Sequence, residues 1–241
     1  MTSVSREMTM RLLYHVHTFS SYDSIMRIED IISHCKKNNI THLAITDHDC
    51  IERLEEYKLL CSQQGITLVP GIEYSSKAGD IIGLFVRSKI DTKSPNRILD
   101  HIKEEEGIAI LPHPYYGHEL DLIDFSKIDM IETFNSRCTE EMNEKAVLLC
   151  RKHEKVPIVA ADAHIKDDLS SALNIYDISL PIVHSIDEIK VVLLSEEPKF
   201  ETHRIPMRNL YISQIWKGCK QRNFVLIYRN IAKYILNYPS K

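Results

Sequence analysis

The sequence predicts an α/β protein built on a parallel sheet that closes into a barrel. Three observations carry this expectation. Apolar strand-like runs alternate with helical i, i+3, i+4 patterns about seven times before residue 200. Polar clusters fall at the C-terminal ends of nearly all the predicted strands, the rim where such barrels gather catalytic groups, whereas an open doubly wound sheet collects ligands at one switch point. The 241 residues, 44% of them hydrophobic, supply ample material for one large core.

The first strand, 10–16, is apolar as far as His15-Val16-His17. Side chains two apart on a strand share a face, so the two histidines project together. With the carboxylate of Asp23 just beyond, they offer ligands suited to zinc, iron or manganese, the alternative being two satisfied core histidines. A helix is predicted over 28–39 from the spacing of Ile28, Ile31, Ile32 and Cys35. Strand 41–46 then runs into Asp47-His48-Asp49. A helix over 51–64 stops at Gly65, strand 66–69 ends in Pro70-Gly71-Ile72-Glu73, and 80–86 is a short buried strand. Ser94-Pro95 opens a helix to about residue 106, the proline standing where its missing N–H costs nothing. Strand 107–111 ends in Pro112-His113-Pro114, strand 129–134 in Asn135-Ser136-Arg137, and strand 156–161 in Asp162-Ala163-His164, with a helix over 140–153 before the last. A strand near 174–180 and a helix over 185–194, with Asp187 and Glu188 in its first turn, complete the pattern.

Charge is unevenly spread. The net value is −4, yet from Lys199 onward nine basic residues face one acid, a local +8 that leaves −12 for residues 1–198. Ile212, Ile215, Trp216, Phe224, Val225, Ile227, Tyr228, Ile231 and Ile235 interleave with these cations as one or two amphipathic helices. The expectation is that this stripe packs on the barrel with its basic face in solvent. The alternative is a contact for nucleic acid, an anionic surface or a partner. The domain reading is a catalytic barrel over 1–204 and a basic helical extension over 205–241. Six cysteines without CxxC spacing, no secretory leader and no uncharged run near the roughly 18 residues of a membrane span point to reduced thiols, no transmembrane segment and a cytoplasmic protein.

Six ordered motifs, HxHT (15–18), TDHD (46–49), GIEYS (71–75), PHP (112–114), E-x-x-N-x-R (132–137) and ADAH (161–164), resemble the PHP family, named for polymerase and histidinol phosphatase, over about residues 10–200. The resemblance implies a distorted seven-stranded, TIM-barrel-like fold. It further implies two or three divalent ions (zinc, manganese or iron) and a hydrolase that attacks phosphate esters with a metal-bridged hydroxide. The substrate would be a phosphorylated small molecule, a nucleotide or an RNA. Position by position, the first ion would be held by His15, His17, Glu73 and Asp162, the second by Glu73, His113 and Asp80, and the third by Asp23, His48 and His164. Two departures stand out: Asp80 replaces a histidine common in relatives, and Leu13 stands where they often carry an aspartate, so the orientation of His15 must rest on another group.

Beyond the ligands, Arg137 and Asn135 are candidates to hold a phosphate, since a guanidinium matches phosphate oxygens with parallel hydrogen bonds. Asp47 is a candidate to orient His48 or to deliver a proton. The remaining histidines, among them His118 and His184, read as structural or exposed. Rival readings are an amidohydrolase-type reaction on the same metals and a non-catalytic binding module. Arg137 separates the first from a phosphatase, and the full ligand set counts against the second.

Overall fold

A computed structural model describes residues 8–178 and 185–236. Strands β1 (Met8–Val16), β2 (His42–Ile45), β3 (Thr67–Ser76), β4 (Gly79–Leu84), β5 (Ile108–Leu111), β6 (Met130–Asn135), β7 (Val156–Ala160), β8 (Ala172–Ile178) and β9 (Lys199–Thr202) form one curved sheet in the order β7-β6-β5-β4-β3-β2-β1-β8-β9. Helices α1 (Ile28–Lys37), α2 (Leu54–Ser62), α3 (Pro95–Glu104), α4 (Glu140–Lys152), α5 (Ile186–Ser195), α6 (Met207–Lys220) and α7 (Phe224–Leu236) complete the described residues. The end of the strand predicted over 174–180, and His184, lie outside them.

The barrel is nearly closed, but the seven-stranded, all-parallel expectation is corrected: among the described residues there are nine strands. The β1-β2-β3 and β5-β6-β7 runs are parallel, whereas β4 is antiparallel to both neighbours and β8 and β9 add antiparallel strands beside β1. Connection length explains this. Only Lys77 and Ala78 join β3 to β4, too few for a crossover, so the chain folds straight back. Between β7 and β8 there is a single 3-10 turn, Lys166–Asp168, and again no crossover helix. The solvent-facing β9 carries no apolar alternation and is defined by its pairing with β8.

The period-two pleat of β1 sorts its side chains as far as Tyr14, and the register slip beyond Leu13 carries Val16 to the other side. Met10, Leu12 and Tyr14 fill the barrel with Val69, Ile110 and Tyr176, while Leu13 and Val16 turn outward to α1 and α2. Asn174 of β8 helps close the sheet by exchanging two hydrogen bonds with the Val159 backbone, at 2.8 and 3.0 Å. Above it, the exits of β1 and β7 run side by side through Ala161 N to Tyr14 O, Ala163 N to His15 O and His17 N to Ala163 O. That pairing draws the two histidine-bearing segments into one rim.

β3 extends further than the sequence indicates because it changes partner midway, from β2 over Thr67 to Pro70 to β4 over Gly71 to Ser76. Glu73 therefore sits within a strand, opposite Ile82. Gly71 is the switch point, and a Cβ there would stand 2.9 Å from both the Ile45 carbonyl oxygen and Leu84 Cδ2. Gly71→Ala is expected to destabilise the protein by about 1–3 kcal/mol through overpacking. Urea unfolding checks this, and an unchanged midpoint would mean that β2 yields without cost.

Candidate metal centre

The regular pleat does not deliver the two histidines of the first motif unaided. Register between β1 and β2 slips between Leu13 and Val16, and His15 takes a φ of 60°. Such a bulge re-aims a side chain. Here it brings both Nε2 atoms, of His15 and of His17, to 3.3 Å from the same oxygen, Glu73 Oε2. His113 and Asp162, just past β5 and β7, share the left-handed region with φ of 27° and 46°. Outside glycine this conformation costs about 1–3 kcal/mol and clusters at functional sites.

Glu73 is the hub. Its Oε2 also lies 3.2 Å from His48 Nδ1, and its Oε1 lies 3.3 Å from His113 Nε2. Asp23 Oδ2 is 3.2 Å from both His48 Nε2 and His164 Nε2, and Asp162 Oδ1 is 3.3 Å from His164 Nδ1 and 3.6 Å from His17 Nε2. The nine predicted ligands thus converge in four overlapping groups: His17, Asp23, His48 and His164; His15, His17 and Glu73; His15, His113 and Asp162; and His48, Glu73 and Asp80. His17 joins the Asp23 group, and His48 joins Asp80, a grouping finer than the one the family resemblance implies.

The arrangement fits divalent ions. Two ligands each about 2.1 Å from one ion at a tetrahedral angle stand about 3.4 Å apart, which is the spacing found here. His15 Nε2, His17 Nε2, His48 Nδ1, His113 Nδ1, Glu73 Oε2 and Asp23 Oδ1 are buried with no hydrogen-bond partner. Orphaned buried polar atoms are costly, and cations held among them would relieve those that face the cluster.

Electrostatics reinforces the fit. Burial raises the Glu73 carboxyl, but the charges of His48 and His15 and the hydrogen bond from His113 hold it well below the usual carboxylate range. Burial would lower His48, yet Glu73 and Asp23 push it up to about 9, and Glu73 likewise pushes His113 up to about 9. His17 goes the other way, to about 3, through burial and the nearby His164 and His48. Buried beside Glu73, Asp80 rises to about 6. Bound metal would displace the protons that His48, His113 and Asp80 hold, since ligands coordinate only when deprotonated.

Residues behind the ligands set their orientation. Glu132, part of a quoted motif but given no role from sequence, places Oε1 2.6 Å from His15 Nδ1, while its Oε2 accepts from His113 N and Asn135 Nδ2, each at 2.9 Å. It supplies the acid that position 13 lacks. Its signal in the sequence was an acid inside an otherwise apolar strand, a charge that must be paired once buried. Asn135 is saturated: its second N–H reaches Asp162 Oδ2 at 3.1 Å and its Oδ1 accepts from Arg137 N at 3.0 Å. Asp47 turns both oxygens to Thr18, accepting from its amide and hydroxyl at 2.6 Å, and so fixes the loop after His17. Ser21 Oγ lies 3.0 Å from His17 Nδ1 and accepts from His48 N. His118, set apart from the motifs in the sequence, sits edge-on to His113 and donates to the Asp80 carbonyl at 2.8 Å. Burial pushes the Cys138 thiol up to about 12, unsuited to a nucleophile.

The C-terminal helices reach this rim. Arg137 donates to Ser213 of α6 at 2.8 Å, its Nε is 3.9 Å from Asp162, and its Nη1 is buried without a partner. Asn209 of α6 donates to Asp168, whose other oxygen accepts from His164 N. Lys220 donates to the carbonyls of Phe19 and Ser21, and Lys217 stands 4.6 Å over the Tyr22 ring, which stacks on His48. The expectation of a packed apolar stripe and a solvated basic face is therefore corrected for both helices. Two α6 lysines serve the rim, and α7 packs back on α6 at Gly218, where a Cβ would meet Ile227, leaving its main apolar face outward.

The PHP domain model matches residues 14–167. An uncharacterized protein of Methanocaldococcus jannaschii is 36% identical over 121 residues, covering 47% of this chain and 69% of that one. A second from the same organism is 27% identical over 175 residues, covering 68% and 69%. Among solved structures, a two-domain protein from Bacteroides vulgatus containing a predicted PHP-like metal-dependent phosphoesterase superimposes with a TM-score of 0.65 at 14% identity. That match covers 82% of this chain and 66% of the other, so this chain spans just under two thirds of its length.

Proposed function

The chain belongs to the PHP domain family, and from that premise we propose that it is a divalent-metal-dependent phosphoesterase acting on phosphate esters of small metabolites, nucleotides or nucleic-acid ends. One observation carries the reading: the buried histidines and carboxylates that converge on Glu73 with ligand-like spacing and unpartnered atoms. His15, His17, Glu73 and Asp162 would hold one ion, Glu73, His113 and Asp80 a second, and Asp23, His48 and His164 a third, with His17 and His48 free to be shared. Ions bound there would lower the pKa of water towards about 7 and neutralise phosphoryl charge.

The chain's own groups supply the rest. Glu132 fixes the His15 ring so that Nε2 faces the cluster, and Asn135 ties Glu132 to Asp162. Arg137, held between Asp162 and Ser213 with an unpartnered Nη1, is the cation that would receive non-bridging phosphoryl oxygens as charge builds on them. Asp47 acts as a positioning residue through Thr18.

The test is elemental analysis of protein purified without chelators, paired with hydrolysis of an aryl phosphate in added manganese. About two to three ions per chain and phosphate release that chelation abolishes are expected. A protein that binds metal yet releases phosphate from neither the aryl ester nor nucleotides would overturn the reading.

A further inference from the structure

We propose that the outer face of α7 is a docking surface for an anionic lipid bilayer. Phe224, Tyr228 and Leu236 are 79%, 78% and 82% exposed, and Val225, Ile231 and Ile235 share the same side of the helix. Isolated exposed apolar side chains are ordinary; a continuous stripe of six on one helix is not. The exposed Arg222, just before the helix, and Arg229 within it add cations beside the stripe, and beyond Glu201 the chain carries no acidic residue. An apolar face edged by cations is the pattern that lies in the headgroup region of an anionic membrane. No helix among the described residues is long and apolar enough to cross a membrane. With 13 residues, α7 spans about 20 Å, which suits lying in the interface and not traversing it.

Charge also sets the orientation. Residues 1–198 carry −12 and are repelled by an anionic surface, whereas the segment from Lys199 carries +8 and is drawn to it. The stripe, about 20 Å by about 10 Å, falls well short of the about 800 Å² per partner that a standard protein interface buries, which argues against a second copy of the chain. An RNA would engage the arginines but leave the aliphatic side chains between them in water, which argues against nucleic acid at this face.

The experiment is flotation of the full chain with vesicles of phosphatidylcholine alone or of phosphatidylcholine with phosphatidylglycerol. Binding is expected only with the anionic lipid and should weaken as salt is raised. Phe224→Ser with Leu236→Ser should lower partitioning at least about 100-fold, and Arg222→Gln with Arg229→Gln about 25-fold. Both pairs should keep the circular dichroism spectrum and any aryl-phosphate activity of the parent, which separates this proposal from the reaction at the rim. No flotation with anionic vesicles would overturn it. So would apolar variants that float like the parent, a concentration-dependent dimer dissolved by the same apolar pair in protein that ignores vesicles, or single-stranded RNA binding that persists where vesicle binding fails.

Discussion

On the proposed reading, Glu73→Gln is expected to abolish metal binding and to lower aryl-phosphate hydrolysis more than about 1,000-fold, because ions held there would supply both the nucleophile at neutral pH and much of the charge stabilisation. The reason is geometric. One carboxylate faces His15, His17, His48 and His113 at 3.2–3.3 Å, and among the described residues no other carboxylate pairs with as many of the candidate histidines. An amide keeps the shape but removes the charge and gives one oxygen in place of two. Metal content by elemental analysis and kcat/KM are the first readouts. A third is the rise in melting temperature on adding manganese, which ligand binding to the folded state requires in the parent and which should vanish in the variant. A variant with full metal content and parental rate would remove Glu73 from the hub.

The second large effect is expected behind the ligands. Glu132→Ala should weaken metal binding about 10–100-fold, the usual range for loss of a carboxylate that orients a metal-binding histidine. It leaves His15 Nδ1, the His113 amide and one Asn135 N–H without their acceptor, so a loss of about 3–5 kcal/mol in stability should accompany it. Glu132→Gln separates the two consequences: its single oxygen can still accept, so the fold should recover most of its stability while metal affinity stays reduced. Titration with manganese followed by calorimetry, alongside urea unfolding, distinguishes these outcomes. Parental metal affinity in Glu132→Ala would show that His15 is held by packing alone.

Seven of the nine candidate ligands stand in short motifs, namely the HxH pair, His48 after β2, Glu73 of β3, the PHP turn and the ADAH end of β7, whereas Asp23 and Asp80 lie outside them. Strand and helix positions followed from local periodicity. What periodicity does not contain is which strand lies beside which. The antiparallel β4 and the pairing of β9 with β8 depend on connections and long-range partners. The convergence of His15 and His17 depends on a bulge and a left-handed residue that no one-dimensional pattern marks. Glu132 illustrates the limit well. Its motif was visible, but its task is set by His15, 117 positions away. The outward face of α7 was missed because an amphipathic stripe shows that a helix has two faces and not which of them has a partner.

The hydrogen bonds from Lys220 to the Phe19 and Ser21 carbonyls join positions 201 and 199 residues apart. At the usual rate of synthesis, about 5–20 residues per second, α6 emerges some 10–40 s after the loop it fastens. All nine candidate ligands, the last of them His164, are translated before Lys220 exists. The nascent chain therefore passes through a period in which its ligands are complete while the loop beside them is unfastened.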